Sequence, residues 1–162
     1  MRILIVEDDG GSRGILLEHL KARGWQVLSC GDPARGLRLL ESEQPDLVLT
    51  DIHLPGATGT DHVRAFCQER AGHRPVVVAM TGYPALESCL DCLQAGASGY
   101  LVKPFRVDEF VQLAERVLDE RRLLGHARNL EQRITELEAE LARLRAPGAP
   151  PAARPERETP CH

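Results

Sequence analysis

The sequence predicts an α/β fold, a parallel sheet covered by helices on both faces and followed by a long C-terminal helix. Three observations predict it. Five short apolar runs, at residues 3–6, 26–30, 47–50, 76–80 and 99–102, alternate with helical patterns. The first, third and fourth runs are apolar without alternation, as strands buried on both faces require. The segments between them carry helix punctuation, so the strands are joined by right-handed crossovers and run parallel. In such a sheet the ligand crevice lies at the carboxyl ends of the strands.

Taken in order, the first run (Ile3, Leu4, Ile5, Val6) ends on Glu7, Asp8 and Asp9. After the second run, Asp32 followed by Pro33 reads as a helix N-cap with proline in the first turn. Leu37, Leu39 and Leu40 give that helix an apolar face, and Pro45 and Asp46 end it. The third run (Leu47, Val48, Leu49, Thr50) ends on Asp51, with a loop from Ile52 to Gly56. The fourth run ends on Thr81 and Gly82, and Gly96 closes the helix that contains Leu86, Leu90 and Leu93. The fifth ends on Lys103, Pro104 and Phe105. From Val107 onward the pattern is helical with no further strand. Residues 108–118 are expected to form the last helix of the domain, with Phe110, Leu113, Ala114 and Val117 facing the sheet. Gly125 is a weak point, costing about 1 kcal/mol relative to alanine.

Composition narrows the function classes. The chain has 162 residues, room for one ordinary domain with some to spare. A net charge of −4 argues against a dominant phosphate-binding surface, and no direct nucleic-acid partner is expected. No run of 18 apolar residues exists, so no membrane span is expected, and the apolar start is too short for a signal-peptide core. The five cysteines, Cys30, Cys67, Cys89, Cys92 and Cys161, are an odd count without framework spacing. They read as reduced thiols in a cytoplasmic protein. Cys89 and Cys92 have metal-ligand spacing but no second pair, and one turn of an ordinary helix explains them.

The chemistry gathers at the strand ends. In a parallel sheet Glu7, Asp8, Asp51, Thr81 and Lys103 all face one crevice. Carboxylates held together repel, and a divalent cation is the usual reason to tolerate that. They supply hard oxygen ligands for Mg²⁺, and a carboxylate beside Mg²⁺ can attack a phosphoryl group. A lysine ammonium and a threonine hydroxyl suit the oxygens that arrive. Singly, an aspartate after a strand is usually a turn or a cap, Lys-Pro a solvated loop and Thr-Gly a turn. It is their joint placement, each at a strand end and in order, that points to a site.

With these motifs the sequence resembles a response-regulator receiver domain over residues 1–121. The resemblance rests on Glu7-Asp8-Asp9, on Asp51 with Pro55 and Gly59, on Thr81-Gly82, and on Tyr100 with Lys103, Pro104 and Phe105. It implies a flavodoxin-like fold with five parallel strands. It implies that Asp51 is phosphorylated by a histidine kinase or phosphotransfer protein. Glu7, Asp8 and Asp51 would bind Mg²⁺, with the backbone carbonyl of His53 as a further ligand. Thr81 and Lys103 would act catalytically on the phosphoryl oxygens, and Tyr100 would be the aromatic switch that moves with Thr81. Against the family pattern, Gly10 and Gly11 are expected to loosen the first loop, and Gly14 and Gly36 to weaken the first two helices. His53 sits where family members tune the lifetime of the phosphoryl group; its side chain either shields or orients water there, or only its carbonyl matters.

Residues 122–146 are expected to form a coiled-coil helix and residues 147–162 a disordered tail, since a Pro- and Ala-rich composition cannot form a core. Leu123, Ala127, Leu130, Ile134, Leu137, Leu141 and Leu144 alternate in steps of 4 and 3, a heptad seam. Isoleucine among the a positions and leucine at every d favour a parallel dimer. Arg133 would then face Glu138 of a second copy, and Glu140 would face Arg145. Each exposed pair is worth only about 0.2–1 kcal/mol, so they set register more than stability. A helix folded back on its own domain is the alternative. No output domain is expected beyond residue 122, so signalling would pass through a downstream protein effector. The expected function is a phospho-acceptor switch rather than an enzyme. Two rivals remain. One is an aspartyl-nucleophile phosphatase of the haloacid-dehalogenase type, which wants a second aspartate where His53 stands. The other is an adaptor or scaffold dimer with a vestigial receiver.

Overall fold

Ten elements alternate along the chain: β1 (Arg2–Val6), α1 (Gly10–Ala22), β2 (Gln26–Cys30), α2 (Pro33–Glu43), β3 (Leu47–Asp51), α3 (Asp61–Cys67), β4 (Val76–Thr81), α4 (Leu86–Gln94), β5 (Gly99–Val102) and α5 (Val107–Arg145). The structure is a computed structural model and describes residues 1–145 apart from Thr58, Gly59 and Ala71, and apart from the side chains of Leu144 and Arg145. The tail expected at 147–162, Cys161, the motif glycine Gly59 and the Leu144 and Arg145 side chains of the seam therefore lie outside the described residues.

The sheet is parallel throughout, in the order β2-β1-β3-β4-β5. After β2 the chain crosses back past β1, so the order reverses between β1 and β3. That reversal opens a crevice at the carboxyl ends of these two strands. Alternate side chains of each strand serve different faces. Leu4, Val6, Val48, Val77 and Ala79 pack with Leu40, Val63, Phe66 and Cys92 beneath α2, α3 and α4. Ile3, Ile5, Leu49, Val78 and Met80 pack with Leu16, Leu20, Phe110, Ala114 and Val117 of α1 and α5. Burying each leucine, isoleucine, valine, methionine or phenylalanine among them is worth about 1.5–3 kcal/mol. This is the flavodoxin-like, five-stranded architecture.

The helices correct several expectations. Gly10 and Gly11 are not loop residues. They form the first turn of α1, because the Asp9 carboxylate accepts the Ser12 N–H at 2.7 Å and caps the helix there. Gly36 is not a weakness of α2. A Cβ at that position would stand 2.8 Å from Phe66 Cζ and 3.1 Å from Val6 Cγ2, so only glycine lets α2 lie this close to α3 and β1. Asp32 does cap α2, accepting the Arg35 N–H at 2.8 Å. In α4 the leucines turn outward, with Leu86 72% exposed, while Cys92 and Ala95 face the core. α3 escaped the sequence reading: it has seven residues, and its N-cap Thr60 makes no side-chain cap bond.

α5 buries Phe110, Ala114 and Val117 and leaves Leu113 half-buried, as expected for its first half. It runs on to Arg145, and Gly125 does not interrupt it. The molecule divides into one compact unit, Met1–Leu123, and a second that begins at Leu124. In the second unit Leu130, Ile134, Leu137 and Leu141 are all exposed, and Arg133 donates to Glu136 within its own helix at 2.9 Å.

Candidate functional site

The site forms where β1 and β3 end. Glu7 follows β1 directly and is almost wholly buried; its N–H bonds to the Cys30 carbonyl of β2, which fixes its direction. Asp8 is exposed at the rim. Asp51 is the last residue of β3 and is buried. One carboxylate oxygen from each of Glu7, Asp8 and Asp51 lies within 4.8 Å of the others. The third acid of the triplet, Asp9, is spent on capping α1, and its bonds to Ser12 hold its carboxyl below the usual range.

Lys103 reaches in from the end of β5. Its ammonium donates to Glu7 Oε2 and to Asp51 Oδ2, the latter at 2.5 Å. Its backbone N–H is tied to the Thr81 carbonyl at 2.7 Å, so β4 sets where the lysine stem begins. Burial pushes the Glu7 carboxyl up, the Asp51 charge adds to it, and Lys103 only partly pulls it back. Burial pulls the Lys103 ammonium down, but its bonds to Asp51 and Glu7 together outweigh that and hold it above an ordinary lysine. The pocket thus carries three carboxylates and one ammonium that contacts two of them. Hard oxygens this close, two of them desolvated, fit a small divalent cation.

The remaining residues singled out by sequence are placed as follows. His53 donates its backbone N–H to Asp51 Oδ1 at 2.7 Å, and its ring stands edge-on to Tyr83, with centroids 5.6 Å apart. Thr81 is fully buried; its hydroxyl accepts the Tyr83 N–H at 3.0 Å and donates toward the Tyr83 carbonyl at 3.4 Å. Tyr100 turns its hydroxyl inward. Thr81 lies close enough to influence it, but among the described residues it makes no hydrogen bond of good geometry, and burial pushes the phenol up. Glu7, Asp51 and Lys103 are therefore in contact, Asp8 stands beside them, and Thr81 and Tyr100 lie behind.

Two residues were not read from the sequence. Arg13 of α1 donates to the Glu7 carbonyl at 2.5 Å and to that of Asp8 at 3.3 Å, clamping the acidic turn. His62 of α3 bonds to the Asp51 carbonyl at 2.8 Å. A lone arginine or histidine in a helical segment gives no signal of such a role; only the fold brings them to the site.

An acidic crevice with one lysine at the strand ends of a doubly wound parallel sheet is the class of site this fold defines. The comparisons place the chain within it. Residues 3–115 match the response regulator receiver domain model. The Chemotaxis protein CheY of Pseudomonas aeruginosa is 33% identical over 121 residues, covering 74% of this chain and 97% of that protein. The Regulatory protein AtoC of Escherichia coli is 30% identical over 135 residues, 83% of this chain but 29% of that protein. The chain thus matches less than a third of the length of AtoC, though nearly all of CheY. Among solved structures, the CheY-like receiver domain protein of Methanospirillum hungatei superposes with a TM-score of 0.70 at 32% identity, covering 76% of this chain and 98% of that one. The receiver domain of sensor histidine kinase PA1611 of Pseudomonas aeruginosa, solved with a magnesium ion coordinated in its active site cleft, gives 0.65 at 29% identity, covering 73% and 97%. The chain belongs to the response-regulator receiver family, and its general role is that of a phospho-acceptor. Among the described residues no helix is long and apolar enough to cross a membrane.

Proposed function

We propose that this chain is a Mg²⁺-dependent switch in which Asp51 receives a phosphoryl group from the phosphohistidine of a histidine kinase or phosphotransfer protein. The observation that carries the reading is the Lys103 ammonium held between Glu7 and Asp51. That arrangement leaves Asp51 Oδ2 on a charged partner and Oδ1 on the His53 N–H, so the nucleophile is oriented before any donor arrives. Glu7, Asp8 and Asp51, with the His53 backbone carbonyl, are the residues that would hold Mg²⁺, in keeping with the ion in the PA1611 receiver. Bound there, the ion would neutralise charge on the phosphoryl oxygens. Lys103 then serves as a fixed donor to one of those oxygens, and the Thr81 hydroxyl as a second once it leaves Tyr83.

A phosphoryl group replaces one negative charge with about two and adds strong acceptors. Moving a switch from 1:99 to 99:1 needs about 5.5 kcal/mol of differential interaction. Two or three charge-assisted hydrogen bonds, at ~1.5–3 kcal/mol each, supply it. Thr81 and Tyr100 carry the change to α4 and β5, whose exposed Leu86, Leu90 and Val102 meet a downstream protein effector. The seam of Leu123, Ala127, Leu130, Ile134, Leu137, Leu141 and Leu144 joins two copies as a parallel homodimer.

The test is labelling by acetyl phosphate followed by mass spectrometry. The wild type with Mg²⁺ gains one acid-stable, base-labile phosphoryl group per chain. EDTA prevents the gain, and Asp51→Asn abolishes it. Full labelling of Asp51→Asn would sink the assignment, and continued turnover of the donor far beyond one equivalent would favour a phosphatase.

A further inference from the structure

The strand that carries the acceptor outruns its neighbour. Val6, the last residue of β1, pairs with Thr50, and no residue of β1 stands opposite Asp51; on the other side Asp51 pairs with Met80 of β4. The Ile52 N–H goes to the Met80 carbonyl. In a parallel sheet successive residues bond alternately to the two neighbouring strands, so the Asp51 carbonyl faces the side where β1 has already ended. A buried carbonyl needs a donor. It finds two, both side chains: the Thr50 hydroxyl at 3.1 Å and His62 Nε2 at 2.8 Å.

His62 is 6% exposed, on the first turn of α3, with its ring edge-on to Phe66. A carbonyl oxygen only accepts, so Nε2 carries the proton. Nδ1 is buried, and among the described residues it has no partner. An apolar side chain of similar volume would fill the site without leaving a nitrogen unsatisfied. What the ring supplies that such a side chain does not is the bond to the Asp51 peptide. It ties the Asp51 peptide to the first turn of α3, while the His53 N–H holds the carboxylate.

We infer that His62 is a positioning residue for phosphoryl transfer. Its Nε2–H holds the Asp51 peptide so that the carboxylate stays in line with Lys103 and the acidic cluster. The inference rests on Asp51 being the acceptor. Hydrogen bonds that orient a reactive group from outside the site are typically worth 10–100-fold in activity.

The experiment uses the full chain, acetyl phosphate and saturating Mg²⁺. His62→Leu lowers the labelling rate at saturating donor by ~10–100-fold, with the half-saturating donor concentration little changed. His62→Gln, whose side-chain amide N–H reaches about as far as the ring Nε2–H, recovers most of the rate. The urea midpoint of His62→Leu equals or exceeds that of the wild type, which separates the loss from unfolding. Nitrogen-15 NMR of the wild type shows the Nε2–H tautomer. Labelling of His62→Leu at the wild-type rate, or His62→Gln as slow as His62→Leu, would overturn the inference while leaving Asp51 as acceptor. A folded wild type that takes no label would overturn the acceptor reading and this inference with it.

Discussion

The first and second halves of α5 place the same residue types in opposite surroundings. Before Leu123, Phe110, Ala114 and Val117 are packed against the sheet. After it, Leu130 is 65% exposed and Ile134 56%, along a helix whose apolar positions are just as regular. Propensity does not distinguish the halves; what differs is whether a surface exists to receive the apolar stripe. The receiver meets that need within one chain. The extension presents a seam of exposed apolar residues, which the proposed parallel pairing with a second copy would cover.

The largest expected effect breaks the two halves apart. Phe110→Ala removes a fully buried ring that also stands edge-on to Trp25, and is expected to lower receiver stability by about 3–5 kcal/mol in urea denaturation. Leu130→Ala is expected to leave that transition where it is and to weaken the proposed pairing of two copies, read as a lower mass in sedimentation. If Leu130→Ala instead weakened the receiver as Phe110→Ala does, its side chain would belong to the receiver core and the contrast would vanish.

Two glycines sharpen the contrast at intermediate size. Gly36→Ala forces Phe66 and Val6 to give way and is expected to cost about 1–3 kcal/mol, as overpacking does. Gly125→Ala meets nothing within 4 Å and is expected to strengthen the extension by up to about 1 kcal/mol. Helix content by circular dichroism and denaturation midpoints read both; a stabilised Gly36→Ala would contradict the close packing of α2.

The smallest effect concerns charge. The extension keeps Glu131 and Glu136 in water, whereas the receiver buries Glu7. Burial raises the folded-state pKa of Glu7 above its ordinary 4.5. The folded chain therefore binds that proton more tightly than the unfolded one. The stability due to Glu7 is complete below about pH 4.5 and is lost as pH rises through the raised value. Without divalent cations, Glu7→Gln is expected to flatten the decline in stability above that pH and to be the more stable protein at neutrality. Glu136→Gln, which removes only an exposed pair with Arg133, should leave the receiver's transition where it is. A Glu7→Gln variant whose midpoint falls at every pH would reverse the sign assigned here.

Much of the fold could be read because parallel sheets write themselves as continuous apolar runs, and those runs end where chemistry is done. Ile3, Leu4, Ile5 and Val6 announce β1, and Glu7 and Asp8 announce the crevice. Lys103 was legible for the same reason. What was not legible depends on neighbours distant in sequence. Gly36 looked like a fault until Phe66 was in place. Gly10 and Gly11 looked like loop because the cap depends on where the Asp9 side chain turns. The leucines of α4 signalled a helix but not the face it offers to water. Thr81 was legible as a strand end, while the turn of its hydroxyl toward Tyr83 is a matter of local geometry. His62 carried no periodic signal, since one histidine in a seven-residue helix resembles any buried ring.

The N-cap of α1 has a further consequence. Glu7, Asp8 and Asp9 are chemically near-identical neighbours, yet one is sealed inside, one borders water and one is bound into a helix terminus. Their assignments follow from the phase of the backbone where β1 gives way to α1. Inserting a single neutral residue there would shift the three duties without altering net charge. The acidic triplet therefore behaves as a reading frame, in which the order of like letters, rather than their number, carries the meaning.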